Sequence, residues 1–203
     1  MNKKLRLLLG LVVCLVSAGC SLSKAYPAKR HYYVAASRSL SGGGQGTEIV
    51  RVQPLAIAAA FKAKGLVSRV GENEYVSDYY SEFFTAPNEM ITDSVSAWLR
   101  ESGLFREVIG RSSTLTASRV IEGTVDGIYA DVRSGARPLA VISLQLRYIN
   151  DSGGQPEVVA AKNYTREVPV TSADVATLVD GWNGALDSIL TEFEQDLGIW
   201  MDR

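Results

Sequence analysis

Few groups in this chain could carry chemistry: two cysteines, one histidine and 22 acidic side chains. His31 stands alone, with no cysteine and no carboxylate at ligand spacing beside it, so neither a metal centre nor a histidine-based triad can be assembled around it. No G-x-S-x-G or H-E-x-x-H run occurs. The glycines at 42, 43, 44 and 46 suggest a phosphate cradle, but no Gly-Lys-Ser/Thr follows. Thr47 also stands where G-x-G-x-x-G needs its last glycine, so the stretch reads as a loop between strands. Glu122 and Asp126 fall on the polar side of an alternating run, where a solvated surface is a better account than a glycosidase pair. No catalytic residue, cofactor or metal is expected, and the chain does not read as an enzyme.

The one side chain with a specific chemical expectation is Cys20. Lys3, Lys4 and Arg6 precede an unbroken apolar run from Leu7 to Val16, and Ser17-Ala18-Gly19 leads directly into the cysteine. That is the pattern of a secretory signal. Ten apolar residues rise only about 15 Å as a helix, half of a hydrocarbon core, so the run is too short for a permanent span. Val16-Ser17-Ala18-Gly19-Cys20 resembles the lipobox of bacterial lipoproteins. The resemblance implies a diacylglycerol on the Cys20 thiol, cleavage before it, and acylation (palmitate among the fatty acids) of the new amine. Cys14 leaves with the signal, so no disulfide is expected. Several acyl chains on one residue anchor firmly, at about 0.8 kcal/mol per buried methylene. Ser21 rather than Asp after the cysteine implies, by the sorting rules of enteric-type lipoproteins, the periplasmic face of the outer membrane.

Of 203 residues, loss of the first 19 leaves 184, a length suited to one domain. Three of the 21 Lys and Arg residues leave with the signal, so 18 face 22 acidic residues, a net charge of −4. Nucleic acid is therefore not an expected partner. Three regions follow: a signal over 1–19, a lipidated tether over 20–30 and a folded body over 31–203. Lys29-Arg30-His31 reads as solvated linker.

The elements that position these residues can be read from periodicity. His31 to Ala36 and Glu48 to Pro54 suit strands, Leu55 to Lys64 a short alanine-rich helix, and Leu66–Val70 with Glu74–Tyr80 a hairpin. A helix is predicted over Ala86–Ser102, capped by Thr85, with Ile91, Val95, Trp98 and Leu99 on one face and Gly103 as its stop. A short strand, Phe105 to Ile109, should follow it. From Ser118 three long strands alternate. The first places Ile121, Gly123, Val125, Gly127 and Tyr129 on one face. The second points Ile142, Leu144, Leu146 and Tyr148 inward, and the third runs from Glu157 to Val170. Such a meander has one face that needs a cover. A C-terminal helix with Leu178, Trp182, Leu186, Ile189, Phe193, Leu197 and Trp200 in register supplies it, its start marked by a capping box of Thr171 and Asp174. The expectation is a single α+β domain, a curved antiparallel sheet covered by two amphipathic helices.

Several local runs then resemble one family. They are Arg30-His31-Tyr32-Tyr33-Val34 after the lipobox, Arg69 before a turn, Tyr75 to Tyr80, Phe83-Phe84-Thr85-Ala86-Pro87-Asn88-Glu89-Met90-Ile91, and Trp98-Leu99-Arg100-Glu101-Ser102-Gly103-Leu104-Phe105. In combination they resemble the auxiliary lipoproteins of ABC-type transport systems that accompany MCE-domain lipid transporters. The resemblance covers nearly all of the mature chain. It implies an α+β body, no catalytic residues, and a membrane-anchored role beside a periplasmic MCE-domain protein that moves lipid between membranes. Another envelope assembly lipoprotein, of a secretion apparatus or of lipopolysaccharide insertion, is the alternative. A homo-oligomer is compatible with either.

Overall fold

The computed structural model describes residues 27–38, 46–134 and 137–202. Cys20, the signal, most of the tether and the glycines at 42–44 lie outside the described residues. In chain order the elements are β1 (Arg30–Tyr32), β2 (Ile49–Val52), β3 (Ala56–Ile57), a single 3-10 turn (Ala59–Phe61), β4 (Gly65–Arg69) and β5 (Tyr75–Phe83). They continue with α1 (Pro87–Ser102), β6 (Glu107–Ile109), β7 (Arg119–Asp131), β8 (Leu139–Asn150), β9 (Glu157–Pro169) and α2 (Val175–Met201).

The meander forms as its alternation requires: β7, β8 and β9 pair antiparallel over nearly their whole lengths. On β8 the residues Ile142, Leu144, Leu146 and Tyr148 are all buried, while Ser143, Gln145 and Arg147 alternate with them on the wetter face. β7 departs from simple alternation. The register with β8 shifts between Val125 and Gly127, leaving Asp126 as an extra residue, and the phase of the strand changes there. Ile121 and Val125 are buried before the shift, and Ile128 and Ala130 after it. Tyr129 therefore sits with Phe61 and Tyr75 rather than in the phase of Ile121.

The free edge of β7 is shared end to end by three short strands that run parallel to it. Val50 lies opposite Arg119, Ala56 opposite Thr124 and Ser68 opposite Ala130. The nine-stranded sheet is thus mixed: antiparallel in the β4–β5 hairpin and the meander, parallel where the N-terminal strands join. Parallel joining needs a crossover, and the chain through α1 provides one between the N-terminal strands and β7. The architecture is a single α+β domain of this mixed sheet and two helices.

Three local expectations are corrected. Leu55–Lys64 is not a helix, because its backbone is claimed from elsewhere. Leu55 N–H donates to Thr92 Oγ1 at 3.0 Å, Asn88 donates to Leu55 O at 2.9 Å, and Ala58 N–H donates to Val125 O at 2.9 Å. Those tertiary bonds outweigh alanine's helix propensity, leaving β3 and one 3-10 turn. The N-cap of α1 is Ala86, with Pro87 in the first turn, and Thr85 instead bonds the Glu89 carboxylate. The cap of α2 is Asp174 itself, which accepts the Thr177 N–H at 3.1 Å. Gly103 ends α1 in the left-handed conformation at φ 72°.

α2 lies across β8 and β9 and completes the core. Trp182 is fully buried, and its indole N–H donates to Tyr129 O at 3.1 Å. At Gly181 the helix packs tightly on the sheet: a β-carbon there would lie 2.6 Å from Ala140 Cβ and 2.7 Å from Val170 Cγ1. Gly184, one turn on, faces open space.

Candidate docking surface

The residues that follow the tether are fastened to the body in two ways. First, β1 adds in parallel to β5, with His31 opposite Glu82. Second, the segment after it is held between the helices. Ala35 N–H donates to Asn183 Oδ1, Ala36 N–H to Ser94 Oγ and Ser37 N–H to Asp187 Oδ1, at 3.1, 3.3 and 2.7 Å. The strap ends at Arg38. Its guanidinium grips Glu194 on α2 with contacts of 2.7 and 3.2 Å, and Trp98 Nε1 on α1 donates to the same carboxylate at 2.7 Å. Arg38 also donates to Glu101 O, and its guanidinium lies over the Trp98 ring. A cleft of about 360 Å³ opens beside this joint, between Arg38, Trp98, Leu104 and Glu194. Its charged groups already satisfy one another, so it serves as a joint between three elements.

The surface next to the tether is different in kind. Every residue of β5 from Tyr75 to Tyr80 is exposed, an unusual run for a nine-residue strand. Tyr79 is 71% and Phe84 66% exposed. Tyr79 and Tyr80 meet edge to face at 5.1 Å, and Lys29 Nζ lies 5.0 Å from the Tyr79 ring centre. Lys29 donates to Glu82 at 3.1 Å, the other Glu82 oxygen bonds His31 Nε2 at 3.0 Å, and the His31 ring meets Phe84 edge-on. The hydrogen bond from Lys29, with lesser help from His31, holds the Glu82 carboxyl below its ordinary range, so the carboxylate stays charged. Lys64 donates to Phe84 O at 3.0 Å on the same side. Tyr75 turns the other way, into the Phe61–Tyr129 cluster under the Arg69 guanidinium. What remains outward is a set of exposed aromatic rings with Lys29 and Lys64 at its margins.

The residues singled out in the sequence are dispersed. Cys20 and the glycines at 42–44 are outside the described residues, and His31 is an exposed partner of Glu82. Glu122 pairs with Arg147 at 3.1 Å, while Asp126 is exposed at the bulge. Trp98 and Trp182 are core residues. Among the described residues no three His, Cys, Asp or Glu side chains converge on a metal-sized site. No helix of the described residues is long and apolar enough to cross a membrane. Sequence reasoning missed the Arg38–Glu194–Trp98 joint, whose members come from three distant segments with no shared pattern. It also missed the exposure of β5, although the consecutive Tyr79-Tyr80 breaks the alternation of a half-buried strand.

Solved structures share this fold. A Xanthomonas campestris protein superposes with a TM-score of 0.71 at 19% identity, over 85% of this chain and 95% of its own. A hypothetical protein from Chlamydia trachomatis superposes with a TM-score of 0.52 at 9% identity, over 73% of this chain and 96% of its own. At such identities the likeness is one of fold. No curated relative matches the chain. Residues 34–193, from the strap to the last turns of α2, match the ABC-type transport auxiliary lipoprotein component, and the chain belongs to that family.

Proposed function

We propose that this protein is a lipid-anchored auxiliary subunit of an ABC-type transporter of the MCE class. In this reading Cys20 carries the acyl chains and fixes the body to the periplasmic face of the outer membrane. The body docks on an MCE-domain protein and assists lipid movement between the inner and outer membranes. It has no catalytic step of its own and acts by what it holds in place. The family match over residues 34–193 carries the reading. The signal and Ala18-Gly19-Cys20 run supports the anchor, and Ser21 after it supports the outer membrane.

Two measurements test it. Cys20→Ala should abolish fatty-acid labelling and leave the signal uncleaved by the lipoprotein peptidase; labelling that persists removes the anchor. Crosslinking in native membranes, followed by affinity capture and mass spectrometry, should recover an MCE-domain subunit. Recovery of secretion or lipopolysaccharide-assembly components without any MCE-domain protein replaces the transporter reading with the envelope-assembly one.

A further inference from the structure

We infer that the face carrying Lys29, Tyr79, Tyr80 and Phe84 rests on the bilayer that holds the anchor, with its rings in the headgroup layer setting the orientation of the folded body. This rests on the reading that Cys20 is the anchored residue. Eight residues lie between Cys20 and Lys29, and the nine steps from one to the other span at most about 32 Å even when fully stretched. A domain of this length has a radius of gyration of about 16 Å and so measures about 40 Å across. The Lys29 ammonium lies over the Tyr79 ring, so the point where the body is attached is itself part of the aromatic face. Attachment there turns this face, and not the opposite pole, toward the lipid.

The side chains of this face suit a membrane boundary. Tyrosine pairs an apolar ring with a polar tip and favours the boundary between hydrocarbon and water. Phe84, 66% exposed just past the end of β5, supplies an apolar ring against His31, which shares Glu82 with the Lys29 that covers Tyr79. Lys29 and Lys64 flank these rings with stems long enough to lay their ammonium groups among headgroup phosphates. Asp78 and Glu82 on the same strand offset those charges. The contact is therefore carried by the rings, with weak dependence on salt and on anionic lipid. Size favours lipid over protein: a stable protein interface takes about 20–30 residues a side, whereas a few rings suffice to orient a body already held by acyl chains.

Tryptophan placed on the face reads the contact directly. Trp98, Trp182 and Trp200 are 6%, 0% and 7% exposed and give a shielded background. Full-length acylated protein carrying Tyr79→Trp, Phe84→Trp or Ile199→Trp is reconstituted in phosphatidylcholine–phosphatidylglycerol vesicles with brominated acyl chains. Its lipid content is verified by mass spectrometry. Ile199 is 58% exposed and lies 17 helix residues, about 26 Å, beyond the Trp182 that packs on Phe83. The added indoles at 79 and 84 should lose most of their emission to bromine and shift to shorter wavelength, in 0.5 M salt as well (a level that screens beyond about 4 Å). The indole at 199 should keep its emission. Quenching at 79 and 84 no stronger than at 199, in protein with verified acyl chains, overturns the orientation and leaves the anchor standing. Absence of acyl mass on Cys20 overturns both. Indoles untouched by bromine that become shielded when an MCE-domain subunit is added assign the face to a protein partner instead. Should Phe84→Trp fail to fold, Tyr79→Trp on a 71% exposed position decides alone.

Discussion

Two glycines one turn apart in α2 should respond to the same substitution with opposite signs. Inside a helix, Gly→Ala is favourable by about 1 kcal/mol, because alanine has less backbone freedom to lose. At Gly184 nothing lies within 4 Å of the new methyl, so Gly184→Ala should realise that gain. At Gly181 the methyl would sit 2.6 Å from Ala140 Cβ and 2.7 Å from Val170 Cγ1. Carbon atoms rest at about 3.5–4.0 Å, so two contacts are each short by about 1 Å and the helix must lift from β8. Overpacking of this kind costs about 1–3 kcal/mol, and two simultaneous overlaps place it near the upper end. After the helix gain is subtracted, Gly181→Ala should destabilise by about 1–2 kcal/mol. At about 2–4 °C per kcal/mol for a domain of this size, the two variants should straddle the parent melting temperature. Urea unfolding followed by tryptophan emission measures both directly, since Trp182 lies beside the contact. Adding Ala140→Gly to Gly181→Ala removes the shorter overlap and should restore part of the loss, a coupling visible in a double-mutant cycle. If Gly181→Ala is as stabilising as Gly184→Ala, the close seating of α2 on β8 is refuted.

Two other perturbations probe the joint and the cap. Glu194→Ala leaves the Trp98 indole without its acceptor and Arg38, whose side chain is 12% exposed, with only Glu101 O. A loss of about 2–3 kcal/mol is expected in the same assay, and a change under about 0.5 kcal/mol would place the joint outside the folded structure's stability. Asp174 accepts from Thr177 N and Oγ1, and bonds from Ser172 and Thr177 pull its carboxyl down from 3.8 to about 2. Because the folded value lies below the unfolded one, the cap's contribution is present above about pH 4 and is lost as pH falls toward 2. Asp174→Asn should flatten that part of the stability profile between pH 5 and 2, and identical acid slopes in the two proteins would contradict the assignment.

What was legible in the sequence was what a short window encodes. The stripes of α1 and α2, the inward set of β8 and the β4–β5 turn are periodic features, and each appears where periodicity puts it. Partner choice is not periodic. Nothing local in Ile49–Val52, Ala56–Ile57 or Gly65–Arg69 states that all three lie parallel along one edge of β7, and the alanines after Leu55 argue for a helix until Thr92, Asn88 and Val125 claim their backbone. The bulge at Asp126 was hidden for a related reason, since Gly127 and Tyr129 continue the alternation on paper while the pairing with β8 shifts beneath them. The aromatic face lay half in view. The tyrosines at 75, 79 and 80 were evident, but exposure depends on β5 having only β1 and short β4 as neighbours.

The shared edge of β7 also fixes a sequence of events during synthesis. A chain is made from its N-terminus, and Val50 exists 69 residues before Arg119, the residue it must lie against. β2, β3 and β4 are therefore complete, with unpaired backbone groups along the side that β7 will occupy, well before β7 is made. The α2 stripe that closes the core arrives later still, since Val175–Met201 follow β9 in the chain. The sheet can therefore close only after β7 is made, and contacts of such long sequence separation are of the kind that slows folding. Until then those strands are open to pairing with any other edge, which makes the nascent chain dependent on whatever shields it in the meantime.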